Sequence, residues 1–530
     1  MYPVLSFHQN RFEGIPLQPL SPPSTNPGSR RKGLASLWKT NGPDFRIKKG
    51  AKVKGEPPSW DSSGSKSSSI PPLIIVEGFL SAAQSLVWGD EFKGFMELGE
   101  QSFLDQAGAF NDPYGEKLEG EQAWGRGDRL DDDGSIYFAP IGPVSSLHDR
   151  ACELFYALRG GTVDYGLSHS QEHGHSRYGR HYEEPLCPTW SRHGLPAHFI
   201  GHSLGGPTIL KLQQLLRKGF FDQALGYERP FAASEGEDGA GEGANEGWRP
   251  SDLILSVTSV SSPFRGTPLV YSLGSEPLPY PKVRFLSVGD LLAKAVHLAA
   301  FLDLPFFDTH ADAWPFARPR TALKAAAESK DEEEAIGCGK HAAFIEASPR
   351  EGFIGLLRQL WRSDWAEGRD CAPWDCTLFE REKDSQEDDW GLELIEDDDN
   401  PEADYSGIMR RRNPRTWYRS YAGYMTRLES AATRDPESLP MHEPTSGWGL
   451  SPFILTARLL GSFNFDRVEP SPGFWSAFKQ EERGGAAAFP GPSMRAKVES
   501  WYCNDGVVPL ASQFHPGDCH PSKCRHSTGM

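Results

Sequence analysis

Hydrophobic residues along this chain fall in short runs whose spacing predicts alternating strands and helices. The first run, Leu-Ile-Ile-Val at 73–76, predicts a buried strand that leads into Gly-Phe. The run at 197–200 predicts another strand, and the leucines between 210 and 216 recur at the spacing of a helix buried on one face. Further strands are predicted at 136–140, 253–260 and 416–422. This alternation favours an α/β fold with a mostly parallel central sheet and helices on both faces.

A short motif lies between the strand at 197–200 and the helix that follows it. Residues 201–205 read Gly-His-Ser-Leu-Gly, and Pro207 opens the helical run. A serine between two glycines on a strand-to-helix turn is typical of a nucleophile elbow, in which the turn lifts the hydroxyl clear of the sheet. The motif also occurs by chance in unrelated proteins, but the flanking strand and helix favour the elbow. We therefore interpret Ser203 as a candidate nucleophile.

A serine nucleophile also needs an oxyanion hole and an acid. Hydrolases with such an elbow take one N–H from the loop after an early strand and one from the residue after the nucleophile, which are Phe79 and Leu204 here. Asp505 lies on an Asp-Gly turn after a segment that we predict to be a strand. It follows the serine in chain order, as the fold requires of the acid. The alternative for Asp505 is an ordinary Asp-Gly turn.

Histidines are concentrated just before the elbow. Residues 169, 173, 175 and 181 are all histidine, in a chain that has 16 of them. The spacing of His169 and His175, on either side of Gly174, lets both reach a single ion, and imidazoles together with carboxylates suit zinc. From spacing alone, a polar surface loop is the alternative.

Composition restricts the class of protein. Lys+Arg number 55 and Asp+Glu 72, and the net charge of -17 argues against nucleic acid or an anionic membrane as the main partner. We predict no transmembrane segment, because no apolar run approaches the roughly 20 residues that span a bilayer. No signal peptide is recognisable, so an intracellular, reduced protein is favoured. The eight cysteines form no disulfide scaffold, although a bridge among Cys503, Cys519 and Cys524 stays open.

The hydrophobic pattern predicts one folded domain at 70–530, preceded by a disordered basic Ser/Pro-rich tail at 1–69. Residues 228–250 are rich in Gly and Glu and are interpreted as an inserted flexible loop. Residues 316–415 are irregular in composition. The run at 291–302 is apolar nearly all round, which by itself is typical of a core helix.

Three segments of this sequence resemble a known family. They are Gly-Pro-Val-Ser-Ser-Leu-His-Asp-Arg-Ala-Cys-Glu at 142–153, Gly-Gly-Thr-Val-Asp-Tyr-Gly at 160–166 and His-Gly-His-Ser-Arg-Tyr-Gly-Arg at 173–180. The chain is similar, from about 71 to about 515, to the zinc-containing thermoalkalophilic bacterial lipases of the α/β-hydrolase superfamily. The resemblance implies a structural zinc held by Asp149, His169, His175 and Asp312. It also implies a large inserted cap or lid near 280–415, in which the run at 291–302 is a helix that shields the active site rather than a core helix.

The resemblance also implies an activity. These lipases hydrolyse carboxylic esters of acylglycerols, so Ser203 is expected to attack the ester carbonyl at a lipid–water interface. Glu77 stands where these lipases have a histidine before Gly-Phe. The family's catalytic histidine lies roughly forty residues past the acid, beside calcium ligands, and that context is not found here. A calcium site is therefore not predicted.

Only His515, His520 and His526 follow Asp505. Three explanations stay open. The sequence is a truncated version of a working lipase, one of the late histidines substitutes as the base, or the protein is a zinc-stabilised but non-catalytic relative that binds lipid or a partner as a scaffold.

Overall fold

Nine strands are formed in the part of the chain that the structure, a computed structural model, describes. They are β1 (Leu73–Val76), β2 (Ile136–Phe138), β3 (Gly161–Asp164), β4 (Tyr178–Tyr182), β5 (Ala197–His202), β6 (Ile254–Val260), β7 (Trp417–Tyr421), β8 (Thr426–Leu428) and β9 (His442–Pro444). The described residues are 71–80, 136–191, 194–226, 249–276, 281–302, 308–314, 316, 349–388, 392, 416–430, 438–445, 451, 453–483 and 492–514.

Five of these strands make the central sheet in the order β2-β1-β5-β6-β7. Every neighbouring pair in it is parallel, which confirms the predicted α/β fold with a parallel sheet. The strands predicted at 73–76, 136–140, 197–200, 253–260 and 416–422 are all close to their expected bounds. The elbow strand β5 lies in the middle of the sheet, between β1 and β6.

Twelve α-helices lie in the described part of the chain. They are α1 (Leu147–Arg159), α2 (Leu167–His173), α3 (Gly205–Arg217), α4 (Leu269–Leu273), α5 (Val288–Leu302), α6 (Pro349–Trp361), α7 (Ala372–Asp375), α8 (Leu378–Asp388), α9 (Phe453–Gly461), α10 (Gly473–Arg483), α11 (Pro492–Tyr502) and α12 (Leu510–Gln513). Helix α3 follows the elbow directly and packs on β5, β6 and α1. The antiparallel pairs β3–β4 and β8–β9 were not predicted from the sequence.

The main core lies between the sheet and helices α1 and α3. Ile74 and Val76 of β1, Phe199 of β5, and Ile209 and Leu212 of α3 are all fully buried in it. Because β1 is buried on both sides, it reads as a continuous apolar run rather than an alternating one, as central parallel strands do.

Helix α5 divides its surface between a buried face and an exposed face. Ala293, Val296 and Ala300 pack in a second core cluster, whereas Leu298 and Leu302 are 44% and 50% exposed. A core helix would bury both faces. The run at 291–302 is therefore not a fully buried core helix, and its place in a cap stays a prediction.

Several predictions concern residues outside the described part of the chain. These are the tail at 1–69, nearly all of the insertion at 228–250, and the histidines His515, His520 and His526. Among the helices that are described, none has the length and apolar character needed to cross a bilayer.

Candidate active site and metal centre

Ser203 lies on a strained turn between β5 and α3. Its φ is 51°, in the left-handed region that a residue with a Cβ rarely adopts, and its N–H donates to the carbonyl of Val260 at 2.9 Å. A Cβ added to Gly205 would lie 1.9 Å from the carbonyl oxygen of Val76, and one added to Gly201 would lie 2.4 Å from the nitrogen of Gly206. Glycine is therefore required on both sides of Ser203, and the local geometry is that of a nucleophile elbow.

The loop after β1 is pressed against this turn. A Cβ added to Gly78 would lie 2.6 Å from the Cβ and 3.0 Å from the Oγ of Ser203. Within the described residues, the N–H groups of Phe79 and Leu204 donate no backbone hydrogen bond. Leu204 is itself buried beneath the turn. Both N–H groups that the sequence nominated for an oxyanion hole thus belong to residues beside Ser203, without an internal partner.

Asp505 is placed at the same edge of the sheet. Its carboxylate is hydrogen-bonded to Ser261, and Ser203 bonds to the carbonyl of the preceding residue, Val260. The Oδ1 of Asp505 also accepts from the N–H groups of Val507 and Val508 at 2.9 and 2.7 Å. Burial raises the pKa of Asp505 to about 6, although these hydrogen bonds oppose the rise.

The segment before Asp505 is not the strand that we predicted. Residues Pro492–Tyr502 form helix α11, and only Asn504 makes an isolated bridge, with Pro509. Trp501 and Tyr502 are apolar enough to suggest a strand, but they instead bury one face of a helix beside Phe465 and Phe474. The aspartate reaches the site from a loop that follows a helix.

Four side chains converge in a second cluster, on the other side of α1. They are Asp149 from the first turn of α1, His169 from α2, His175 after the Gly174 turn, and Asp370 before α7. One ligand atom from each lies within 4.8 Å of the others. The Nε2 of His169 is 3.2 Å from Oδ1 of Asp149 and 3.3 Å from Oδ1 of Asp370, and the Nε2 of His175 is 3.2 Å from Oδ2 of Asp370.

The fourth member of this cluster corrects a prediction. The sequence nominated Asp312, but Asp312 pairs with Arg180, which also binds Asp308. Arg180 holds the 308–312 segment beside the cluster through these ion pairs. The Asp312 carboxylate therefore binds the guanidinium of Arg180 instead of joining the cluster. Asp370 takes the position, 195 residues beyond His175 in the sequence. Its only sequence signal was an aspartate just before a short Pro-containing helix, which is common in proteins.

The chemistry of the cluster fits a divalent cation. The Nδ1 of His175 lies 2.8 Å from the carbonyl of Ser176, so it carries the proton and leaves Nε2 as a lone pair facing the cluster. That Nε2 and both oxygens of Asp370 are buried without a hydrogen bond to any described residue. Burial, and then the Asp370 carboxylate, raise the pKa of Asp149 to about 6. Two buried carboxylates and two imidazoles facing one point are the donor set of a metal site.

His148 is a neighbour of the cluster that sequence reasoning missed. Its ring stacks on that of His169, with centroids 3.7 Å apart, and its Nε2 lies 2.8 Å from the carbonyl of Tyr165. Burial holds the pKa of His148 well below its usual range, so it packs as a neutral ring. It restricts the orientation of the His169 imidazole.

Comparison with known proteins finds a similarity to lipases over part of the chain. Residues 114–279 match the family model described as lipase-like, C-terminal domain. Over 142 residues, the chain is 39% identical to a lipase of Staphylococcus hyicus, a match that covers 27% of this chain and 20% of that protein. It is 36% identical over 142 residues to lipase 1 of Staphylococcus aureus (strain MRSA252), covering 27% of this chain and 19% of that protein. The matched region thus spans about a fifth of the length of these relatives.

The crystal structure of Staphylococcus hyicus lipase aligns over 86% of this chain and 83% of that chain, with 22% sequence identity and a TM-score of 0.46. The segment that matches the family model contains the elbow at 201–205 and three members of the cluster, Asp149, His169 and His175. Over this segment, the chain is similar to bacterial lipases.

Proposed function

We propose that the protein is a serine-dependent carboxylic ester hydrolase of the lipase type, with a structural zinc. The observation that supports it most directly is the strained Ser203, beside which the N–H groups of Phe79 and Leu204 donate no backbone hydrogen bond to a described residue. A left-handed serine between two glycines that admit no Cβ is the arrangement that exposes a nucleophilic hydroxyl at the end of a sheet. The relatives in the family are lipases, and their substrate class is part of the proposal.

In this mechanism the Oγ of Ser203 attacks the ester carbonyl and forms a tetrahedral intermediate. Its oxyanion accepts hydrogen bonds from the N–H groups of Phe79 and Leu204, donors that are fixed before the reaction begins. A histidine takes the serine proton and returns it to the leaving alcohol, and Asp505 orients that histidine. The base must follow Asp505, and His515, His520 and His526 are the three histidines of this chain that do.

An exposed apolar surface supports an ester substrate at a lipid–water interface. Helices α5 and α6 contact each other and expose large apolar side chains: Leu291, Leu298, Leu302, Phe353, Ile354, Leu357 and Trp361. The buried face of α5 lies in the core cluster against which Phe79 and Leu80 pack. The same helix therefore shares a core cluster with the oxyanion loop and presents apolar surface outward, as expected of a cap that meets lipid.

The metal proposal assigns the zinc to Asp149, His169, His175 and Asp370. When bound, zinc would supply charge compensation for the two buried carboxylates and would crosslink α1, α2 and the segment before α7. We assign no step of ester hydrolysis to it. The cluster residues bind the ion, and His148 and the Ser176 carbonyl orient the two imidazoles.

Zinc content after desalting tests this assignment. We expect about one zinc per chain in the wild type and in Asp312→Asn, and an affinity lower by at least about 100-fold in Asp370→Asn, since a lost ligand leaves three donors. Loss of zinc from Asp312→Asn with retention in Asp370→Asn would refute it. A metal-free wild type would do the same.

Labelling with a fluorophosphonate probe and turnover of p-nitrophenyl butyrate test the activity. We expect the wild type to be labelled and active, and Ser203→Ala to be unlabelled and slower by at least about 10³-fold with an unchanged melting temperature. Ser476→Ala, at an exposed position on α10, is the matched control and should keep full activity. A folded, zinc-bound wild type with neither labelling nor turnover would instead favour a non-catalytic lipid-binding or scaffold protein.

A further inference from the structure

Arg150 is a buried side chain that links three separate elements near Ser203. It follows Asp149 in the first turn of α1, and its relative exposure is 0%. Its guanidinium donates to the carbonyl of Glu77 after β1, to the carbonyl of Gly142 after β2, and to the hydroxyl of Thr208 in α3. Each of these groups belongs to a segment that borders the elbow or the loop facing it.

On one side, Arg150 fixes the loop that contains Phe79. Its Nη2 holds the carbonyl of Glu77, two residues before Phe79. Its Nη1 holds the carbonyl of Gly142, and the next residue, Pro143, accepts a hydrogen bond from Leu80 at 2.9 Å. Phe79 is therefore held between two anchored neighbours, one bound to Arg150 directly and the other to the segment that Arg150 binds.

On the other side, Arg150 reaches the turn that contains Leu204. Its Nε donates to the Oγ1 of Thr208 at 2.9 Å. The Thr208 hydroxyl in turn donates to the carbonyl of Leu204 at 2.8 Å, and the Thr208 N–H lies 3.1 Å from the same oxygen. The first turn of α3 is thus coupled through one hydroxyl to the guanidinium.

Small displacements matter here because the loop and the nucleophile are in direct contact. A Cβ on Gly78 would come within 2.6 Å of the Cβ of Ser203, so the loop has no room to approach further. Moving a catalytic donor by about 1 Å can slow a reaction by about 100-fold. The distance between the Phe79 and Leu204 N–H groups must therefore be set by something rigid.

We propose that Arg150 is the positioning residue of the oxyanion hole, setting the Phe79 loop and the Leu204 turn relative to each other. This inference rests on the proposed ester hydrolase function. Arginine suits the task because a planar guanidinium presents five donors in a fixed fork, whereas a lysine ammonium cannot reach three acceptors on three elements in one geometry. Arg150 does not touch the substrate in this proposal.

Two variants test it, with a third as control. Arg150→Lys keeps the charge but not the fork, and Thr208→Val removes only the hydroxyl that links Arg150 to Leu204. Arg217→Lys is the control, because Arg217 is also buried, in α3, but donates to the carbonyl of Leu392 at the far end of the helix. All rates are expressed per folded molecule, from a calorimetric or circular-dichroism melt of each variant.

The kinetic readout is the division between kcat and KM on p-nitrophenyl butyrate. We expect kcat to fall about 100-fold in Arg150→Lys and about tenfold in Thr208→Val, with KM within about twofold, since an oxyanion hole acts on the transition state. Arg217→Lys should keep kcat while losing thermal stability. A kcat for Arg150→Lys equal to that of the control would overturn the proposal and leave Arg150 with a structural role alone.

Amide hydrogen exchange of the peptide covering 73–80 gives a readout that needs no activity. We expect Arg150→Lys to exchange faster in this peptide, because the variant releases the Phe79 loop. Thr208→Val should leave this peptide unchanged and exchange faster at 203–206, because it releases the Leu204 turn. If the wild type has no esterase activity but these changes occur, the proposed function fails while the positioning role stands. Unchanged exchange in both peptides would overturn the positioning role itself.

Discussion

The nucleophile elbow and the His/Asp cluster are built in opposite ways. The elbow is formed by consecutive residues, 201–205, and its shape depends on backbone geometry: the φ of Ser203 and the close approach at Gly205. The cluster draws Asp149, His169, His175 and Asp370 from distant segments and depends on side-chain chemistry. A single added carbon should therefore disrupt the elbow, whereas the cluster should tolerate backbone changes and respond to the loss of a ligand atom.

The largest expected effect is that of Gly205→Ala compared with Gly174→Ala. The new methyl at Gly205 would lie 1.9 Å from the Val76 carbonyl, which is backbone in a central strand and cannot move aside. We expect a loss of more than about 4 kcal/mol in the free energy of unfolding, or no folded protein. At Gly174, beside the cluster, an added Cβ would meet no atom of the described residues within 4 Å and only the φ of 78° is unfavourable, so the loss should be about 1 kcal/mol.

Urea denaturation followed by circular dichroism measures both variants. Gly174→Ala should retain zinc, because it leaves all four side chains of the cluster in place. Only the loss of one of those side chains, as in Asp370→Asn, should lower zinc affinity. Similar losses for the two glycine variants would show that the elbow does not depend on close backbone approach, and the contrast between the two regions would then be wrong.

The same contrast explains what could be predicted from the sequence. The elbow is local: a strand pattern, two glycines around Ser203 and a helix pattern are all legible within about twenty residues, and the structure has each of them. The parallel sheet followed from the same alternation of strands and helices. The Phe79 loop was also predictable, because it directly follows a strand whose apolar run is continuous.

The fourth member of the cluster was not predictable in this way. Nothing local distinguishes Asp312 from Asp370, because both are aspartates in segments rich in charge and aromatic residues. The choice depends on Arg180, which takes up Asp308 and Asp312 through ion pairs from β4. Likewise, the helix at Pro492–Tyr502 was misread as a strand because its buried face is set by packing against Phe465 and Phe474 rather than by local preference.

The two regions also differ in how their buried carboxylates are compensated, and Glu77 tests this. The cluster carboxylates face imidazoles, whereas burial raises the pKa of Glu77 from 4.5 to about 7, with Arg150 opposing the rise. The folded protein thus binds this proton more tightly than the unfolded chain. The stability that the proton contributes is present below about pH 4.5 and is lost as pH rises through about 7.

Glu77→Gln should remove that pH dependence. One pKa unit corresponds to about 1.4 kcal/mol, and the partial exposure of Glu77 reduces the effect. We therefore expect the free energy of unfolding of the variant to exceed that of the wild type by about 1 to 3 kcal/mol at pH 8 and by little at pH 4.5. Urea midpoints at the two pH values measure this, with Glu443→Gln, on the antiparallel pair β8–β9, as the control. A variant that is less stable than the wild type at pH 8 would contradict the interpretation.

The smallest expected effect is at the first turn of α1, which the two regions share. Asp149 in this turn points to the cluster and Arg150 to the elbow, and the N-cap hydroxyl of Ser146 accepts from the Asp149 N–H at 3.2 Å. Because Ser146 is the N-cap of α1, Ser146→Ala should lower the free energy of unfolding by about 1 kcal/mol, and Ser145→Ala, the control, by less.

Neither zinc content nor kcat should change in Ser146→Ala, because Asp149 and Arg150 are held by their own partners on either side of the helix. Guanidinium denaturation resolves a difference of this size when both variants are measured beside the wild type. If Ser146→Ala also lowered zinc affinity or slowed turnover, the positions of Asp149 and Arg150 would depend on the N-cap of α1. The cluster and the elbow would then depend on each other more than their separate construction indicates.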